Sequence, residues 1–246
     1  KWCIITRNGA MGATSEIQIA TAKDYLSKVG LDLVVEFDLA DYNDAIAGND
    51  SLVRLEPFGE GHTRALIVAN TRALWPHFVS AVNAESSLRT SKDPLDEYVS
   101  SRISAAAAML QPDTQVYTAE MSHQPLVSML TAGSVSGLGV MGPAMILVHP
   151  EHGPWIGIRG IIALDSPPLT TKTTVVDHCD GCSAPCKSAL DAVLQSMKRP
   201  TVDQDNWRRW LTIREVCPVG MASKYGRNQT RYHYIKDRSA LALDSE

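Results

Sequence analysis

The chain has 246 residues, 44% apolar and 20% charged, with a net charge of −4. This is an ordinary globular composition, long enough for one large domain or two small ones with a real core. The charge gives no general argument for nucleic-acid binding, and no run of roughly 18 apolar residues offers a membrane-spanning helix. No signal-peptide pattern opens the sequence, so a reducing, cytoplasmic setting is expected.

Ser15 has the form of an N-cap, with a helix to Val29 and Gly30 as its stop. Leu31 to Leu39 reads as a strand, and Tyr42 to Phe58, rich in Asn, Asp, Gly and Pro, mostly as loop. Arg64 to Ala69 is a short apolar run of buried-strand type, followed by a helix from Thr71 to Val82. Asp93-Pro94 is a strong helix start because Asp can accept from the free N–H groups of the first turn and Pro has none to waste. That helix is expected to reach Leu110. Thr114 to Ala119 reads as a strand and Pro125 to Val140 as a helix that becomes Gly-rich. Its small residues permit close approach by a flat ligand or by tight packing. Ala144 to Val148 and Trp155 to Leu164 read as an antiparallel hairpin joined by a turn-rich loop. Helices from Pro185 to Met197 and from Asn206 to Val216 precede a polar tail with Tyr225, Tyr232 and Tyr234. Strands and helices mix without strict alternation, which predicts an α+β fold.

Four of the five cysteines fall late, as Cys179-x2-Cys182-x3-Cys186 and then Cys217-Pro218. Short-spaced thiols with a proline after the last suit an iron–sulfur cluster, with zinc and then disulfides as the other readings. His178 adjoins the group as a reserve ligand. From Lys198 to Arg238 ten Lys/Arg face four Asp/Glu, which suits an anionic ligand or cluster, or a solvated face. Arg159 sits within an apolar strand, where it needs a paired anion unless it faces outward. Arg208, Arg209 and Arg214 lie close to Trp207 and Trp210, a combination that suits a flat ligand carrying phosphate or carboxylate. No Gly-x-Ser-x-Gly, Walker or Rossmann motif occurs.

Val148-His-Pro-Glu-His-Gly-Pro-Trp-Ile-Gly-Ile-Arg-Gly-Ile-Ile-Ala-Leu164 resembles the signature stretch of the cobalamin-processing CblC (MMACHC) proteins. Lys92 to Val99 is similar to their Asp-Pro helix start, and Trp207 to Val216 to their Trp-Arg-Asp-Trp segment, in the same order. The resemblance implies a nitroreductase-like fold with a mixed, largely antiparallel sheet flanked by helices. Residues 1–170 would form this core, and residues 171–246 a cysteine-containing segment packed on it. It implies cobalamin bound base-off and loss of its upper axial ligand, by reductive decyanation with reduced flavin or by alkyl transfer to glutathione. Arg159, Arg214 and Arg208 would match the family's ligand-binding arginines, and the segment around Ser134 and Gly137 would line the corrin. The family has a His near Ser134 that this chain lacks, and its animal members lack the cysteine set. Cobalamin beside iron–sulfur is similar to reductive dehalogenases and epoxyqueuosine reductase, which carry eight cysteines for two clusters.

The first expectation is therefore a cobalamin-processing oxidoreductase with one 4Fe–4S cluster on Cys179, Cys182, Cys186 and Cys217. The second is an iron–sulfur enzyme on the same scaffold acting without cobalamin. The third is a zinc-stabilised binding module or cobalamin carrier. Expected partners are a small-molecule substrate and an electron donor or thiol, with a homodimer left open and neither nucleic acid nor membrane involved.

Overall fold

A four-stranded antiparallel sheet in the order β1-β2-β6-β3 organises the molecule. The computed structural model describes residues 14–56, 63–111, 114–119, 126–171, 173–197 and 200–242. The elements are α1 (Glu16–Lys28), β1 (Leu33–Asp38), α2 (Leu39–Ala45), β2 (Thr63–Asn70), α3 (Leu74–Ala84), α4 (Ser86–Thr90), α5 (Pro94–Ala108), β3 (Gln115–Thr118) and α6 (Met129–Val135). There follow β4 (Val140–Met141), β5 (Leu147–Val148), β6 (Gly157–Asp165), α7 (Pro185–Gln195), α8 (Trp207–Glu215) and α9 (Arg227–Ile235).

Ser15 caps α1 through a full capping box with Gln18, and Gly30 follows at φ +82°. Central strands β2 and β6 are buried on both faces, which explains their unbroken apolar runs. On one face Leu66, Val68, Ile162 and Leu164 meet α1, α3, α5 and α9. On the other, Ala65, Ile67 and Ile161 meet α2 and α6. A smaller apolar cluster joins Ala144, Cys186, Val193 and Ile213 across the α7–α8 pair. Arg64 is 7% exposed because Glu36, opposite Leu66 in the next strand, and Glu16 of α1 both accept from its Nη1 at 2.9 and 2.8 Å. Burial alone pushes the Glu36 carboxyl up, but hydrogen bonds and charge from Lys23 and Arg64 hold it below the ordinary range. Among the described residues no helix is long and apolar enough to cross a membrane.

Several expectations are corrected. The hairpin between Ala144–Val148 and Trp155–Leu164 does not form: β5 pairs with β4, whereas β6 pairs with β2 and β3. The intervening loop closes on itself through a His149–Gly153 bridge, so it redirects the chain. The Gly-rich helix is confined to α6, ending where Gly137 takes φ +79°. Pro125, its expected start, lies outside the described residues. Part of the expected loop after Tyr42 belongs to helix α2, and the polar tail contains α9. Asp93 precedes α5 without a side-chain cap and instead lies 3.5 Å from Lys236.

Candidate functional site

The thiols come from two separate stretches. Asp177 accepts backbone N–H bonds from Cys179 and Asp180 at 2.8 and 3.2 Å, turning the chain before the first cysteine. Gly181 and Ala184 take left-handed conformations, and Pro185 opens α7, placing Cys186 in its first turn. Cys217 follows the end of α8, its N–H donating to the Arg214 carbonyl at 3.2 Å. Cys179, Cys182, Cys186 and Cys217 are free thiols and line one recess with His178, Ile146, Val148, Pro218 and Val219. Cys186 and Cys217 are buried. Gly142 backs the recess: a Cβ there would lie 3.6 Å from the Cys179 sulfur.

Burial pushes the Cys179 thiol up, and Asp177 and the other three thiols add to it. Cys217 is likewise raised by burial and by Cys186 and Cys182, against a backbone hydrogen bond from Val219. Bare, these groups hold their protons, and a metal binding there would release them. Among the described residues no three His, Cys, Asp or Glu side chains converge closely enough for a single ion. A zinc site needs its sulfurs about 2.3 Å from one point. The four thiols around the recess are of the donor type that a metal centre would require.

A second constellation adjoins this one. The β2–β6 register slips between Val68/Ala69, which pair with Gly160 and Ile158, so Arg159 is the extra residue of a β-bulge. Such a bulge re-aims a side chain that regular pleating would commit to one face. Arg159 Nε donates to Asn70 Oδ1 at 2.6 Å, and the side chain lines a pocket of about 120 Å³ with Asp96, Ser100 and Thr118. Arg214 donates to the Pro154 carbonyl and hydrogen-bonds Tyr234. Tyr225 packs edge-on against Trp155 at 5.6 Å and in a tilted arrangement against His233 at 5.3 Å. Burial lowers Arg159 first; Tyr225 and then Asp96 oppose this, and Arg214 adds the smallest lowering effect. Burial raises Tyr225 and Tyr234, with both arginines opposing it at Tyr225 and Arg214 at Tyr234.

The two constellations share a wall. A Cβ on Gly153 would sit 2.1 Å from the Val219 carbonyl oxygen, and one on Gly220 2.1 Å from the His152 carbonyl. Val219 lines the thiol recess and Pro154 takes the Arg214 bond, so the interlocked glycines join the two sites. Next to the interlock, His149 and His152 stack at 4.7 Å, and His152 Nδ1 lies 2.8 Å from Ser223 Oγ.

Of the residues expected from sequence, the structure brings the four cysteines together and Arg159 near Arg214. Arg208 is exposed and stacks on Trp207 at 4.5 Å. Ser134 is exposed on α6, while Gly137 is small because a Cβ would lie 2.9 Å from Thr173. Gly133 and Gly139 are crowded in the same way by Leu147 and Val148. These three glycines serve tight packing. Sequence reasoning missed Asn70, Tyr225, His233 and Tyr234. The signal was the spacing of Tyr232 and Gln229 on one buried helical face, obscured by the polar composition of α9.

This sheet with helices on both faces has the nitroreductase-like α+β architecture. The B12-trafficking protein CblC of C. elegans, a human MMACHC homologue, matches it at a TM-score of 0.65 with 15% identity, over 92% of this chain and 96% of that one. The epoxyqueuosine reductase of Streptococcus thermophilus matches at 0.50 with 11% identity, over 85% and 67%. A selenomethionine-labelled epoxyqueuosine reductase matches at 0.50 with 12% identity over the same shares. No protein-family model matches the sequence, and no curated protein matches it.

Proposed function

We propose that the chain is a cobalamin-processing oxidoreductase of CblC type, with Cys179, Cys182, Cys186 and Cys217 holding one 4Fe–4S cluster. The observation that carries this reading is the meeting of four thiols from two stretches in one recess that shares a wall with the arginine pair. A cluster bound there would supply single electrons. The chain's own part is positional. Pro218 and Val219 shield the recess, His178 stands at its edge, and α7 and α8 hold the two cysteine stretches against each other. Arg159 and Arg214 bind an anionic group of the substrate or of a thiol such as glutathione. The likeness to CblC supports cobalamin as the small-molecule substrate, and the likeness to epoxyqueuosine reductases supports a reductive direction.

A second reading keeps the cluster and omits cobalamin. It is favoured by the packing of Gly133, Gly137 and Gly139 against Leu147, Thr173 and Val148, and by Ser134 in place of the family's His. Anaerobic purification with iron and sulfide, followed by metal analysis, tests the cluster. Four irons per chain and broad visible absorbance, lost in Cys217→Ser, are expected. A colourless, iron-free chain would sink both readings. Titration with hydroxocobalamin separates them: no spectral shift at micromolar protein leaves only the second.

A further inference from the structure

Asn70 Oδ1 accepts from Arg159, and the Asp96 carboxylate lines the same pocket without forming an ion pair to it. Among the described residues no carboxylate pairs with Arg214 either. His233 stands in this setting with its Nε2 sealed from solvent and without a hydrogen-bond partner, and Trp155 Nε1 is in the same condition. The imidazole is held by Tyr225 at 5.3 Å and Trp75 at 6.4 Å. A sealed polar atom without a partner costs free energy unless something else uses it.

We propose that His233 is a further binding residue of the arginine site: as an anion docks between Arg159 and Arg214, Nε2 takes up a proton from solvent and hydrogen-bonds the anion. The inference rests on the reading of the arginine pair as an anion site. The charges that act on the ring are cationic, Arg159 from β6, Arg214 from α8 and Lys236 from the end of α9, while the Asp96 carboxylate of α5 acts on Arg159. Tyr225 and Trp75 supply neutral rings. Burial first, then these three cations, hold the imidazole well below its ordinary value, so it is neutral in the free protein. An arriving anion reverses the local field and favours the imidazolium. Only a proton moves, from solvent to Nε2, and no other bond changes.

Calorimetric titration of the intact chain with sulfate and with S-methylglutathione tests this, since neither probe titrates between about pH 5.5 and 7.5. Wild-type affinity should weaken up to about tenfold per pH unit as pH rises, with close to one proton taken up per anion bound. His233→Gln should bind more weakly and lose the pH dependence. The ¹⁵N ring signals of His233 in the wild-type chain should move to the doubly protonated pattern on binding, a readout that survives if the variant misfolds. Binding that is independent of pH, or ring signals that stay neutral, would overturn the role of His233 alone. Binding of neither probe to the wild type, or binding unchanged in Arg159→Gln and Arg214→Gln, would overturn the anion site and His233 with it.

Discussion

Gly220→Ala should be among the most damaging single-methyl additions in this chain. Two effects combine at that position. Its φ of +73° is left-handed, which costs an L-residue about 1 kcal/mol. The added Cβ would also lie 2.1 Å from the carbonyl carbon and oxygen of His152 and 2.5 Å from the Gly153 nitrogen. These are backbone atoms, so no side-chain rotation relieves the overlap, and overpacking adds about 2 kcal/mol. Gly48→Ala is the matched control: φ is +83° and nothing lies within 4 Å of its Cβ, so only the first effect remains. Denaturant unfolding should give losses of about 3 and 1 kcal/mol respectively. For a chain of this length, that corresponds to Tm drops of roughly 9 and 3 °C. Equal losses in the two variants would refute the interlock, and with it the wall shared by the thiol recess and the arginine pair.

Two further perturbations concern charge. Arg64→Met leaves Glu36 largely buried with Lys23 as its remaining partner and should cost about 3 kcal/mol by urea unfolding at neutral pH. Because the folded carboxyl of Glu36 lies below its unfolded value, its contribution is present above about pH 4.5 and lost as pH falls below that. Glu36→Gln should lose less stability than wild type on acidification through that range. His149 has its pKa lowered to about 4, first by burial and then by the charge of His152. A histidine lowered on folding contributes stability fully above about pH 6.5, lost as pH falls from there towards 4. His149→Asn should therefore flatten the stability profile across that window by about 1 kcal/mol, discounted for the ring's partial exposure.

The strands and helices around the core were legible because local rules and tertiary context agree there. Ser15, Gly30 and the apolar run from Arg64 to Ala69 act as their types suggest. The hairpin expected around His149 was not legible, because strand pairing is a long-range choice. β6 gains two partners by inserting between β2 and β3, whereas β5 can offer only two residues. The polar helix α9 was missed for a related reason. Its sequence lacks an apolar stripe, yet it buries Asn228, Gln229, Thr230 and Tyr232 against the rest of the fold. With it went His233, Tyr234 and, just before the helix, Tyr225.

The sequence by itself determined the residue types: three closely spaced thiols with a fourth further on, an arginine in an apolar strand, and glycines at several close backbone approaches. Those are properties of residue type and local order. Only the tertiary structure decided that the two cysteine stretches line one recess, that a bulge sets Arg159 in a pocket with Asp96, Ser100 and Thr118, and that Gly153 and Gly220 interlock their two loops. Each of these depends on contacts between segments distant in the chain, whose energies come from burial and packing and leave no local trace in the order of residues.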